Sequence, residues 1–171
     1  MIVLVGSHGV GKSTLLAELK RQRPDLIISD GFSRVISKFN KDIDNKLEVE
    51  ESQLLINRIS DRNWPVFTQI ENLCVTRSPL DHYAYSKALG YKKLAQERLD
   101  LFNTVDKSKV KFFYIPIEFD LEDDGVRYSD PDFQNQVDVL LLHALEKTNT
   151  PITATLSGSI EERVNEILKH I

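Results

Sequence analysis

Residues 6 to 13 read GSHGVGKS, with Thr14 following, directly behind the apolar run IVLV at 2 to 5. Three glycines, a lysine and a hydroxyl satisfy GxxxxGK[ST], and the context is the one the pattern requires, a strand before and a helix after. Such a loop can wrap an anion with backbone N–H groups while the positive end of the next helix faces it. Gly6, Gly9 and Gly11 admit conformations closed to other residues and clear the path of the anion. Lys12 has the reach to touch the β- and γ-phosphates of a nucleoside triphosphate, and the Ser13 hydroxyl suits Mg²⁺. His8 and Val10 stand at variable positions and are expected to contribute backbone donors only.

These groups need a scaffold, and the rest of the chain supplies its pattern. IVLV (2 to 5), LIIS (26 to 29), ENLCVT (71 to 76), VKFFYIPI (110 to 117) and PITATL (151 to 156) read as strands. Between them run helical patterns at 12 to 21, about 48 to 63, 79 to 88, 92 to 104, 131 to about 146, and after Ser159. Ser78-Pro79-Leu80-Asp81 and Ser159-Ile160-Glu161-Glu162 carry the chemistry of helix starts, a hydroxyl cap followed three residues later by an acid. Strands without alternating polarity, each separated by helix, predict a parallel sheet covered on both faces, in one domain spanning 1–171.

Composition narrows the class. The 171 residues are 41% apolar and 28% charged, ordinary for a globular chain. With 22 basic against 26 acidic residues the net charge is −4, so no basic field marks a duplex-binding surface or a membrane-facing one. The one cysteine, Cys74, in NLCVT, is expected in the core. No apolar run approaches a membrane span, and nothing at the start reads as a secretion signal, so a cytoplasmic setting is expected. No NKxD-like run for guanine is present, and the third strand ends in VTRS rather than in the paired acids of a mechanical ATPase.

GSHGVGKSTL, DGFSR (30 to 34), TRSPLDHYAY (76 to 85), IPIEFDLEDDGVR (115 to 127) and TLSGSIEERV (155 to 164), in this order, resemble the short P-loop nucleoside and nucleotide kinases. Among them the chain is most similar to small AAA-domain proteins of phages and bacteria related to thymidylate kinase. The resemblance implies the P-loop NTPase three-layer α/β sandwich, with five parallel strands in the order 2-3-1-4-5 and a lid at approximately 118–131. It implies an ATP- and Mg²⁺-dependent transfer of the γ-phosphoryl group to a nucleoside or nucleoside monophosphate, with a role in deoxynucleotide metabolism. Expected partners are therefore the small-molecule acceptor, no membrane and no nucleic acid; a homodimer is compatible with the sequence. Rival readings are a kinase acting on a nucleic-acid base or terminus, and a slow NTP-hydrolysing switch.

The same resemblance distributes roles. Asp30, just beyond the second strand, is the candidate base for the acceptor hydroxyl, although a turn or cap aspartate would read the same way. Arg34 is a candidate for the acceptor's phosphate or sugar, and Gln53 for its base edge. Arg77 stands where these enzymes carry an Asp-Arg pair and is a candidate phosphate clamp. The acid of that pair is replaced by Thr76, so either the Thr76 hydroxyl serves or Asp30, Glu71 or Asp81 supplies the charge. Asp81 equally fits a helix cap. Arg127, in the polar segment with Glu122, Asp123 and Asp124, is the candidate lid arginine for the transferring group. Gly158 and Ser159 are expected beside adenine, with Ser159 also capping the last helix. Tyr83 and Tyr85 can stack on an acceptor base or pack in the core. Trp64 is expected to be structural, and His82, His143 and His170 surface or packing residues.

Overall fold

The computed structural model describes residues 1–30, 57–58, 61–120 and 130–171. Five strands, β1 (Ile2–Val5), β2 (Ile27–Ser29), β3 (Leu73–Val75), β4 (Lys111–Tyr114) and β5 (Ile152–Thr155), form one parallel sheet in the order β2-β3-β1-β4-β5. The described helices are α1 (Lys12–Gln22), α2 (Trp64–Phe67), α3 (Pro79–Ala88), α4 (Lys92–Asn103), α5 (Pro131–Lys147) and α6 (Ile160–Leu168). None of the described helices is long and apolar enough to cross a membrane. Most of the helix expected at about 48 to 63 lies outside the described residues.

β1 is central because all four of its side chains are apolar and can be buried on both faces. Val3 and Val5 join the core beneath α3, α4 and α5, with Val75, Leu99, Phe102, Phe112, Tyr114 and Val137. Ile2 and Leu4 join the opposite core with Leu15, Leu16 and Leu19 of α1 and Val164 and Ile167 of α6. Each fully buried leucine of α1 contributes about 1.5–3 kcal/mol, well above differences in helix propensity of under about 1 kcal/mol. Packing therefore fixes where α1 begins to run. Cys74 lies in this second core, and burial pushes its thiol up to about 12.

β2 departs from the expectation of a strand covered on both faces. Ile27 is 53% and Ile28 40% exposed, because β2 is the sheet edge and pairs with β3 alone. Parallel order sends the carboxyl ends of all five strands to one edge, where the loops after β1, β2 and β3 meet. Glu71 precedes β3 and so sits at the opposite edge, which removes it from the candidates for the missing acid.

Candidate functional site

The loop after β1 is shaped by backbone that only glycine tolerates. Gly6 has φ +153, and a Cβ there would stand 2.6 Å from the Ile115 carbonyl oxygen just past β4. Gly11 caps α1 in the left-handed region at φ 88. α1 begins with neither a capping side chain nor an acid in its first turn, the pattern of a helix start that can face an anion. Lys12 is folded back over the loop, its Nζ donating to the Gly6 carbonyl at 2.8 Å and the Ser7 carbonyl at 2.5 Å. Ser13 and Thr14 place their hydroxyls in the first turn of α1.

The variable loop positions do more than the sequence predicts. His8 is 2% exposed; its Nδ1 and the Tyr85 hydroxyl share a hydrogen bond of 3.0 Å, and its carbonyl accepts from Gln134 Nε2 at 2.6 Å. The ring also packs beside Phe133, 6.0 Å between centroids. Val10 is buried in the core under α1, and its carbonyl accepts from Arg163 Nη1 at 3.0 Å. Both side chains point into the protein, and the His8 ring together with the His8 and Val10 carbonyls fastens the loop to α3, α5 and α6. Behind the loop, Tyr114 donates to Asp138 Oδ2 at 2.6 Å, and burial pushes the Asp138 carboxyl above its ordinary value, opposed by Tyr114, the Ser7 amide and Lys12.

A second set of groups gathers beside this loop. Asp30 follows β2, and its Oδ1 accepts from the Thr76 hydroxyl at 2.7 Å. The pairing follows from register: Ser29 lies opposite Val75, and the ladder runs one step further as Thr76 N–H donates to the Ser29 carbonyl. The Asp30 carboxylate, just past β2, thus lies against Thr76, just past β3. Arg77 lays its guanidinium over the Tyr85 ring, 4.7 Å from the centroid. Asp30, Asn57, Asp61, Trp64, Arg77 and His82 line a narrow open cleft.

Asp81 is committed elsewhere. Its Oδ2 accepts from the Ser78 amide and hydroxyl in the capping box of α3, and its Oδ1 from the Gly6 amide at 3.4 Å. Tyr83, on α3, is buried in the core, with its hydroxyl accepting from Lys87 Nζ. His82 is buried rather than at the surface, its Nδ1 2.6 Å from Asp61 Oδ1.

Sequence reasoning missed a third cluster. Arg163 is 1% exposed and reaches three elements: Nη1 donates to the Val10 carbonyl, Nε to the Gly158 carbonyl at 3.0 Å, and Nη2 to Glu118 Oε2 at 2.6 Å. Glu118 also accepts from the Gly158 amide at 2.9 Å, and that amide, then Arg163, hold its carboxyl below the ordinary value. Both backbone polar groups of Gly158 are thus engaged. The Ser159 hydroxyl closes the capping box of α6 with Glu162. Only the residue pattern of α6, a basic side chain on its inward face, hinted at this. Arg34, Gln53 and Arg127 lie outside the described residues, as does 121–129 of the expected lid; Asp130, at its end, caps α5.

The sequence profile of a family described as an AAA domain matches residues 1–163. No curated protein matches the chain. Among solved structures, thymidylate kinase from Candida albicans is similar at TM-score 0.64 and 15% identity, over 98% of this chain and 88% of that one. Deoxyadenosine kinase from M. mycoides is similar at TM-score 0.63 and 12% identity, over 98% and 96%. Shikimate kinase from Aquifex aeolicus is similar at TM-score 0.57 and 18% identity, over 98% and 94%. The fold is that of the P-loop kinases.

Proposed function

The chain belongs to the AAA-domain family, and from that premise we propose that it is an ATP-dependent kinase passing the γ-phosphoryl group to a nucleoside or nucleoside monophosphate. The observation that carries the reading is the adjacency of two complementary sites. A phosphate-binding loop and a carboxylate-bearing cleft share one sheet edge and are joined through Arg77, Tyr85 and His8. A hydrolase needs only the first; a phosphotransferase needs both.

The chain's own groups divide the work. The loop amides and Lys12 hold the donor's phosphates, Lys12 exchanging two loop carbonyls for phosphate oxygens. Asp30, oriented by the Thr76 hydroxyl, accepts the proton of the attacking hydroxyl. Arg77, pre-positioned on Tyr85, holds a phosphate, and the stacked ring limits the freedom it must lose on binding. Mg²⁺ prefers oxygen ligands and few protein donors, and the Ser13 hydroxyl and Asp30 carboxylate are donors of that kind; the ion neutralises phosphate charge when bound. Arg34 and Gln53 complete the acceptor side. Arg127, in a lid at 118–131 of one kinase domain, adds charge stabilisation, with Gly158 and Ser159 beside adenine.

Thr76 in place of an acid was the main support for a slow hydrolytic switch. The Asp30 carboxylate at the same spot favours the kinase instead. The test follows ADP release with ATP, Mg²⁺ and a panel of nucleosides, nucleoside monophosphates and an oligonucleotide. Acceptor-dependent turnover with a small molecule is expected. Slow release indifferent to every acceptor would establish the switch, and turnover with the oligonucleotide alone the nucleic-acid kinase.

A further inference from the structure

Two residues that line the acceptor cleft each carry a buried polar atom with no hydrogen-bond partner among the described residues. Trp64, at the start of α2, is 2% exposed, and its Nε1 has no hydrogen-bond partner among the described residues. His82, on α3, is 4% exposed, and its Nε2 has none either. Both residues line the cleft that holds Asp30 and Arg77. Buried polar groups in folded proteins are almost always satisfied, so two orphans in one small cleft call for a partner that arrives from outside.

Their chemistry specifies that partner. An indole N–H only donates. The His82 ring is set by Asp61, whose Oδ1 lies 2.6 Å from Nδ1 while its Oδ2 lies 3.0 Å from Arg98 Nε. A carboxylate accepts, so this contact selects the tautomer with its N–H at Nδ1 and its acceptor at Nε2. Arg98 further donates to the His82 carbonyl at 2.7 Å and to the Ser86 hydroxyl, which fixes α3 at this turn. Trp64 is held by stacking on Phe102, 6.3 Å between centroids. The cleft therefore offers one rigid donor and one rigid acceptor.

Resting on the kinase reading above, we propose that Trp64 Nε1 and His82 Nε2 read the hydrogen-bonding edge of the acceptor's nucleobase, taking a ring or carbonyl acceptor and an adjacent N–H donor, and that Asp61 and Arg98 act as positioning residues for His82. The acceptor class is thus a base-bearing nucleoside or nucleotide, as opposed to a hydroxy acid or a bare sugar. A site built to pair polar atoms rejects ligands that leave them unpaired more strongly than an apolar pocket rejects a misfit.

The experiment measures acceptor binding by calorimetry with a non-hydrolysable ATP analogue present, using the five common nucleosides and their monophosphates, N3-methylthymidine, ribose 5-phosphate and shikimate. At least one base-bearing ligand is expected to bind, and Trp64→Phe and His82→Phe each to weaken it roughly ten- to hundredfold. His82→Gln, which restores an acceptor, is expected to recover most of that loss, while affinity for the ATP analogue stays unchanged in all three variants. Equal binding by wild type and both phenylalanine variants overturns the edge-reading proposal and leaves the kinase reading standing. Binding of ribose 5-phosphate or shikimate in preference to every nucleoside overturns the proposal together with the nucleoside acceptor.

Discussion

The Thr76 hydroxyl donates to the Asp30 carboxylate at 2.7 Å, joining two residues 46 positions apart across neighbouring strands. The bond fixes the Asp30 carboxylate at the wall of the cleft. Asp30→Asn keeps the shape and the Thr76 contact but removes the base, so kcat is expected to fall about 10²–10⁴-fold with acceptor KM little changed. Thr76→Val removes only the orienting bond and is expected to cost about tenfold, since a loosely held base still works part of the time. Steady-state kinetics with the best acceptor checks both. Equal losses in the two variants would place Asp30 in a structural role.

The Arg77 and Tyr85 pair separates two functions of one ring. Tyr85→Phe keeps the face beneath the guanidinium and loses the bond to His8; a cost of about 1 kcal/mol, or about 2–4 °C in Tm, is expected, with acceptor KM nearly unchanged. Arg77→Lys keeps the charge and loses the planar fork, so KM for a monophosphate acceptor is expected to rise about tenfold or more. The nucleoside serves as control: if its KM rises equally, Arg77 holds the donor rather than the acceptor's phosphate.

The sequence carries local signals well and distant ones poorly, and this site divides along that line. The phosphate loop and the caps at Ser78 and Ser159 were legible because each is a run of neighbours whose chemistry is complete within a few residues. Asp30 was legible as a candidate, but its bond to Thr76 depends on strand register, which no local pattern encodes. Arg163 reads as one more basic residue on an amphipathic helix until α6 packs against the loop and buries it. The burial of His8 and the choice of packing over surface for His82 were out of reach for the same reason. An isolated histidine gives no sign of which way its ring turns, and the tertiary fold turned both inward.

The Lys12 ammonium in this structure donates to two carbonyls of its own loop. Binding a triphosphate exchanges those contacts for stronger, charge-assisted ones. Lys12→Ala is expected to weaken ATP binding at least about tenfold and to lower kcat by about 10² or more, and, because the Gly6 and Ser7 carbonyls lose their donor, to lower the Tm of the nucleotide-free protein by about 2–4 °C. Calorimetric titration with ATP and Mg²⁺ checks it. Undiminished binding would remove the phosphate loop from the proposed function.

Arg163 and Glu118 tie the phosphate loop, the β5–α6 turn and the exit of β4 together. Arg163→Met leaves the Val10 and Gly158 carbonyls without their donor, and a loss of about 2–4 kcal/mol is expected, seen as a fall of roughly 5–10 °C in Tm with weaker ATP binding. Glu118 gives the matching pH signature. Its folded carboxyl is held below the ordinary 4.5 by the Gly158 amide and Arg163, so its stabilisation is present above that value and is lost as pH falls through the folded value. The Tm difference between wild type and Glu118→Gln is therefore expected to be largest near neutrality and to close as the medium is acidified below 4.5. Other carboxylates with lowered values, Glu162 and Glu166 among them, are common to both proteins and cancel in the difference. A difference independent of pH would mean that the Glu118 charge contributes nothing to the clasp.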